Sequence, residues 1–164
     1  MKNNIKQFIN WAEEKKWDII EQSKTNLNLD KEVVTRYKEI PNEYMLFMKM
    51  VERCVTPNDK TWFICESEFN NKSETAFKWN EFELLSLEAA ENDAAWKSDI
   101  TKWWSNYLPI VMSVDDGYSF YAIDITNEVG TIVRGYEPEF EEVEKVASNL
   151  DEFFELIMSN AIKM

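Results

Sequence analysis

Three strand-length runs of residues follow one another in the second half of the chain, and they constrain the fold most. LPIVMSV (108–114), YSFYAIDI (118–125) and TIVRGYE (131–137) are separated only by the turn sequences DDG and TNEVG. Glycine in such a turn supplies the positive φ that tight hairpin connections need. Three strands joined by short turns form an antiparallel meander, which we therefore predict for residues 108–136.

Four other segments carry apolar residues at the i, i+3, i+4 spacing of one buried helix face. Their apolar positions are Ile5, Phe8, Ile9 and Ala12; Val33, Val34 and Tyr37; Tyr44, Phe47, Met48 and Val51; and Leu150, Phe153, Phe154 and Ile157. Ser148 and Asp151 have the spacing of a helix-capping pattern at the start of the last segment. These patterns predict three helices before the meander and one after it.

The middle of the chain mixes both kinds of pattern. Residues 62–65, WFIC, favour a strand, and the alternation at Phe77 and Trp79 favours a second short strand that leads into a helix. The composition of residues 86–104 is typical of a helix, with an expected face of Leu87, Ala90 and Ala94. We therefore predict one α+β domain over residues 1–164, with N-terminal helices, a mainly antiparallel sheet and a closing C-terminal helix.

The residue types restrict the available chemistry. The chain contains no histidine, which excludes Ser–His–Asp and Cys–His nucleophiles and histidine-based zinc sites. The glycine spacing of GTIVRG is not followed by the lysine of a phosphate-binding loop, and the spacing of a calcium loop is absent. We therefore expect no catalytic residues, no cofactor and no metal. A carboxylate-dependent hydrolase stays open as a remote alternative, since 31 acidic residues guarantee many chance pairs.

The charge of the chain points to a class of partner. The formal net charge is −13, and residues 101–164 carry 12 acidic and 4 basic residues, a net of −8. Such a field repels nucleic acid and anionic lipid and favours cationic protein surfaces. With no export signal, Cys54 and Cys65 are expected to be reduced thiols, which favours a cytoplasmic location. We expect a monomer or a weak dimer that binds a basic protein.

The acidic residues are densest in residues 137–144, where five of eight residues are glutamates. These side chains are either a solvated segment or a contact face around Phe140. Asp115 and Asp116 are residue types that favour a hairpin turn. Of the adjacent tryptophans at 103 and 104, either could be buried in the core or exposed as an interface anchor. The predicted partner-binding set is Asp115, Asp116, Glu137, Glu139, Phe140, Glu141, Glu142, Glu144 and Trp104.

Several motifs occur together in a characteristic order. IPNEYMLFM (40–48) resembles the LP-x-(D/E)-Y-x-x-F helix start of the SUKH superfamily, which includes fungal cell-wall-assembly regulators of the Smi/Knr type. LPIVMSVDDGYSFYAIDI resembles the central P-I-x-x-D-G hairpin of that family, and residues 130–157 resemble its final strand, acidic segment and helix. The chain departs from the pattern at Ile40, at Cys54-Val55 and at Leu150.

This resemblance implies a non-enzymatic α+β domain. Many bacterial SUKH proteins look like immunity proteins of polymorphic toxin systems, which neutralise a cognate toxin, often a nuclease, by direct binding. Fungal members coordinate cell-wall assembly with growth, so an intracellular regulatory adaptor is the alternative. Nuclease toxins are typically basic, and an acidic inhibitor associates faster with a basic target. The expected partner is therefore a basic protein, such as a toxin domain.

Overall fold

A computed structural model of the protein describes residues 2–73 and 77–164. In these residues the helices are α1 (Lys2–Glu14), α2 (Lys31–Arg36), α3 (Asn42–Met50), α4 (Glu66–Phe69), α5 (Glu81–Ala89), α6 (Ala94–Ser105) and α7 (Leu150–Met158). The strands are β1 (Asp18–Glu21), β2 (Val51–Val55), β3 (Thr61–Phe63), β4 (Tyr107–Ser113), β5 (Ser119–Asp124), β6 (Ile132–Tyr136) and β7 (Glu144–Ala147).

All strands of the described residues belong to one sheet in the order β1-β2-β3-β4-β5-β6-β7. Every neighbouring pair is antiparallel, and each strand pairs with the next one in the chain. The predicted α+β class is confirmed, as are the antiparallel sheet, the meander and the C-terminal helix. The meander is longer than predicted, because β7 pairs with β6 after the acidic segment.

Helices cover both faces of the sheet. On one face, which we call the α1–α7 face, Phe8 of α1 stacks on Phe154 of α7 with ring centroids 4.4 Å apart. The ring centroid of Phe63 of β3 lies 5.5 Å from that of Phe8, and the ring centroid of Tyr121 of β5 lies 5.0 Å from that of Phe153. The apolar stripes predicted for α1 and α7 are buried there at every position. This face carries one part of the aromatic core.

The opposite face, which we call the α5–α6 face, is covered by α5 and α6. The ring centroid of Phe120 of β5 lies 4.8 Å from that of Trp104 of α6 and 6.1 Å from that of Phe82 of α5. Gly135 of β6 pairs with Phe120, and a Cβ atom at Gly135 would lie 2.5 Å from the Phe120 ring and 2.8 Å from the carbonyl oxygen of Phe140. Glycine is therefore required for the segment after β6 to fold back onto this face.

The helical prediction for residues 86–104 is wrong at its centre, where the chain turns between α5 and α6. Glu91 has a φ of 46°, and the Asp93 side chain caps α6 by accepting a hydrogen bond from the backbone N–H of Trp96. Because the break reorients the chain, Ala90 is buried while Ala94 is exposed. Asp93 is a typical helix-capping residue, and its place in the middle of this segment was the sequence signal for two helices instead of one.

Other local predictions also need correction. The apolar stripe of the third helix extends into a strand, because α3 ends at Met50 and Val51 begins β2. Phe77 and Trp79 lie in a turn that leads into α5, and Ala76, the first residue of the predicted strand, lies outside the described residues. The cap of α7 is shifted by one residue, with Asn149 Oδ1 accepting from the backbone N–H of Glu152 at 2.8 Å.

The helices of the described residues include no candidate for a membrane span, since none is long and apolar enough.

Candidate functional site

Three hairpin connections meet at one end of the sheet, which we call the loop end. They are residues 56–60 between β2 and β3, 114–118 between β4 and β5, and 137–143 between β6 and β7. The strand register aligns them, because Thr61 pairs with Ser113, Ser113 with Ser119, and Ser119 with Tyr136. The predicted hairpin and the acidic segment, which lie 20 residues apart in sequence, are therefore brought together.

The DDG turn holds the acidic segment in place. Asp116 and Gly117 have φ values of 55° and 91°, as expected for a tight hairpin turn. Glu137 Oε1 accepts a hydrogen bond from the backbone N–H of Tyr118 at 3.0 Å, and the backbone N–H of Glu137 donates to the carbonyl oxygen of Tyr118 at 2.9 Å. A Cβ atom at Gly117 would lie only 3.0 Å from Glu137 Oε1, so glycine also permits this approach.

The turn between β2 and β3 joins the same cluster. The Asn58 side-chain amide donates to Asp115 Oδ2 at 3.3 Å, and the backbone N–H of Asp115 donates to Ser113 Oγ at 3.2 Å. Asp59, in the same turn, is exposed and has a φ of 65°. Asp59 was not singled out from the sequence, although residues 56–59, TPND, are typical turn residues.

Phe140 does not lie at the surface, and its predicted role as an exposed contact is wrong. The side chain is 4% exposed and stacks on Phe82 with centroids 4.8 Å apart and an angle of 7° between the rings. Phe120 lies 6.3 Å away on the sheet. The physical reason is that Gly135 of β6 has no side chain, which lets the segment that follows β6 pack over the α5–α6 face, where an aromatic ring is buried. Phe140 anchors the acidic segment to the core.

Trp104 is buried, so its predicted role as a surface contact is wrong, and the partly exposed Glu141 has a structural role. Trp104 is 2% exposed, and its indole Nε1 donates to Glu141 Oε2 at 2.8 Å. The Ser86 hydroxyl donates to the same oxygen at 2.8 Å. This carboxylate thus satisfies a buried indole N–H and a hydroxyl of α5. Glu141 joins α5, α6 and the acidic segment.

The remaining predicted residues are exposed at the loop end. Together with Asp59 they form what we call the acidic rim: Asp59, Asp115, Asp116, Glu137, Glu139, Glu142 and Glu144. The ion pairs of the described part of the chain involve other acids, so no rim carboxylate is neutralised by a salt bridge there. The basic side chains beside it include Lys60, Arg134 and Lys163. The rim is a surface of negative charge with a backbone fixed by hydrogen bonds.

An open groove of about 460 Å³ runs along the rim. It is lined by Asp115, Asp116, Gly117, Tyr118, Ser119, Arg134, Tyr136 and Glu137. Arg134 was missed from the sequence, although it is the only basic residue between Lys102 and Lys145. Its isolation within an acidic stretch was the signal that could have identified it.

The buried carboxylates elsewhere have identified partners. Glu83 accepts two hydrogen bonds from the Arg36 guanidinium, at 2.6 and 2.5 Å. Asp124 accepts from the backbone N–H groups of Thr126, Asn127 and Glu128, which orders the connection between β5 and β6. Across the described ranges, no group of three or more cysteine, aspartate or glutamate side chains is arranged to hold a metal ion.

The two cysteines are free and buried, and they are not bridged to each other. Burial raises the pKa of both thiols well above the ordinary value, and nearby Glu68 adds to the shift. Thiols of this kind are poor nucleophiles at neutral pH, because little thiolate is present.

Comparison of the chain with protein-family models, with curated proteins and with solved structures returns no match.

Proposed function

We propose that the protein is a binding domain that neutralises a basic protein toxin by direct contact through its acidic rim. The observation that carries the proposal is the convergence of exposed carboxylates from three separate hairpin connections onto one end of the sheet. Rim carboxylates without salt-bridge partners are available for charge-assisted contacts to lysine or arginine. In this proposal the protein acts by binding and not by catalysis.

The rigidity of the rim supports a binding role. Asp115 and Glu137 are held by hydrogen bonds to the neighbouring connections, at 3.3 and 3.0 Å. Below them, Phe140 and Glu141 fix the segment to the core. A charged surface with a fixed geometry loses less conformational entropy on binding than a flexible tail would. Charge complementarity of this kind mainly raises the association rate and the specificity.

The SUKH resemblance supplies the class of partner. Bacterial proteins with these motifs resemble immunity proteins, and the acidic segment and the DG hairpin that carry the resemblance are the parts of the chain that form the rim. A nuclease toxin presents a basic surface because it binds phosphate, and it would act in the same compartment, the cytoplasm. The partner class rests on this resemblance together with the charge of the rim.

The test is co-purification with the proteins encoded by the genes adjacent to its own. We expect one basic neighbour to form a stable complex that weakens steeply as salt rises, and we expect co-expression to protect cells from that neighbour. Absence of any complex with these neighbours, or a complex without protection, would contradict the proposal.

Matched variants locate the contact. The rim variant combines Asp115→Asn, Asp116→Asn and Glu139→Gln, and the control variant combines Glu88→Gln, Asp99→Asn and Glu155→Gln. Both remove three exposed carboxylates, but the control positions lie on α5, α6 and α7 and not in the three connections of the loop end. We expect only the rim variant to lose affinity. Equal losses would mean that net charge, and not this surface, governs binding.

A further inference from the structure

Arg134 differs from the other two arginines of the chain. Arg36 forms a bidentate pair with Glu83, and Arg53 pairs with Asp18 at 2.6 Å. Within residues 2–73 and 77–164 the Arg134 guanidinium has no salt bridge, and its buried Nε has no hydrogen-bond partner. A buried donor without a partner is destabilising, because it has given up its hydrogen bonds to water without a replacement. In a chain of net charge −13, this exception calls for an explanation.

Two aromatic rings hold the guanidinium in position. Its central carbon lies 5.4 Å from the ring centroid of Tyr136 and 6.0 Å from that of Tyr121. Burial raises the pKa of Tyr121, and the positive charge of Arg134 opposes that shift. Contacts of this kind stabilise the cation without using its N–H donors. The edge of the guanidinium therefore keeps its capacity to bind a planar anion.

A small polar pocket lies beside Arg134 on the sheet. It has a volume of about 80 Å³, and its lining includes Thr61, Ser113, Ser119, Tyr121 and Lys163. The hydroxyls of Thr61 and Ser113 lie 2.8 Å apart and hydrogen-bond to each other. Hydroxyl groups and a second cation around an arginine form an anion-binding environment.

The size and charge of the pocket select the anion. About 80 Å³ accommodates a group of a few atoms, and Asp115 also lines the pocket. Asp116 and Glu137 lie in the adjoining groove, and Glu144 pairs in register with Arg134. These four carboxylates outnumber the two nearby cations, Arg134 and Lys163, so the net local charge disfavours a phosphate dianion more than a monoanion. A planar carboxylate also matches the fork geometry of arginine.

We propose that the pocket around Arg134 is a binding site for a single carboxylate group. The carboxylate comes either from an acidic residue of a partner protein, flanked by basic residues that face the acidic rim, or from a small free carboxylic acid. The first source rests on the proposed binding of a basic partner, whereas the second does not. In either case Arg134 selects a ligand that a uniformly acidic surface would reject.

The direct test uses the wild-type protein, so it does not depend on a variant that folds. The Nε–Hε resonance of Arg134 is followed by ¹H–¹⁵N NMR during titrations with acetate, acetamide and inorganic phosphate at constant ionic strength. We expect a saturable shift with acetate, no shift with acetamide and a weaker response to phosphate. Absence of a saturable acetate response, or a response to phosphate of equal size, would overturn the inference.

Two peptides then distinguish the source of the carboxylate. Ac-Lys-Glu-Lys-NH₂ presents a carboxylate between two cations, and Ac-Lys-Gln-Lys-NH₂ presents the same cations without it. If the ligand is a partner side chain, the glutamate peptide binds about ten- to hundredfold more tightly than the glutamine peptide. If it is a small acid, acetate saturates the site and the two peptides bind equally.

An Arg134→Lys variant, which keeps the charge and loses the planar fork, should remove most of the difference between the peptides. The outcomes also separate this inference from the proposed function. Binding of both peptides without any Arg134 response would overturn the carboxylate site and leave the rim intact. An acetate response without any peptide binding would keep the carboxylate site and count against the rim.

Discussion

The acidic segment and the DDG turn both contribute exposed carboxylates, but they are supported in different ways. Residues 137–143 bury Phe140 and use Glu141 to satisfy Trp104 and Ser86. The DDG turn has no buried side chain and depends on backbone geometry at Asp116 and Gly117. The comparison shows that the residues of an acidic run can have different roles. In residues 137–143, Phe140 and Glu141 anchor the segment to the core, while the other glutamates are exposed.

The same contrast exists within the acidic segment. Phe140 and Glu141 turn inward, whereas Glu139 and Glu142 on either side of them are exposed. Stability should therefore depend on the first pair and binding on the second. Substitutions at five positions of the segment can test this division between stability and binding. They are given in order of the expected loss in unfolding free energy, from the largest to the smallest.

Phe140→Ala should cause the largest loss. Removing a 4% exposed ring that stacks on Phe82 leaves a cavity between α5 and the sheet. We expect a decrease of about 3–5 kcal/mol in the free energy of unfolding, measured by urea denaturation. Phe140→Leu, which keeps most of the apolar volume, is the control and should cost clearly less. Equal, small effects of both would show that the ring does not anchor the segment.

Glu141→Ala should rank second. The change leaves the Trp104 indole N–H and the Ser86 hydroxyl without their acceptor. We expect a loss of about 2 kcal/mol and a change in tryptophan fluorescence. Glu141→Gln retains one carbonyl oxygen as an acceptor and should restore part of the stability. An unchanged unfolding free energy in Glu141→Ala would contradict the structural role.

Glu137→Ala should have an intermediate effect, because Glu137 accepts a single hydrogen bond, from the backbone N–H of Tyr118. We expect a loss of about 1 kcal/mol in chemical denaturation. Amide hydrogen exchange at Tyr118 should accelerate in the variant while exchange in α7 stays unchanged. Unchanged exchange at Tyr118 would show that this side chain does not join the two connections.

Glu139→Gln and Glu142→Gln should have the smallest effect on folding. Both side chains are exposed, so each change should alter the unfolding free energy by less than about 0.5 kcal/mol. The same variants should weaken binding of the basic partner, which calorimetric titration can measure. A loss of stability without a loss of affinity would reverse the assignment of the two roles.

Much of the fold could be predicted from the sequence, because its signals are local. The stripes of α1 and α7 and the strands around the DDG turn depend on periodicity and turn chemistry. β1 and β7 were missed because they are short edge strands, and β2 because Val51 continues the stripe of α3. Edge strands of four residues are specified by their neighbours more than by their own pattern.

The candidate site was predictable in position but not in detail. The DDG turn and the glutamates were recognised, but nothing local showed that Phe140 and Trp104 are buried. The burial of Phe140 depends on Gly135, whose missing side chain lets the acidic segment pack beside Phe120 of the neighbouring strand. Arg134 likewise becomes notable only when Tyr121 and Tyr136 lie beside it. These are contacts between strands, which sequence spacing alone does not reveal.

The central claim is that the acidic rim is the contact surface, and the salt dependence of binding tests it most directly. The affinity of the basic partner for the rim variant and for the control variant is measured between low and physiological ionic strength. We expect the rim variant to lose about tenfold in affinity and much of its salt dependence, while the control variant matches the wild type. Identical affinities and salt dependences for the two variants would contradict the account.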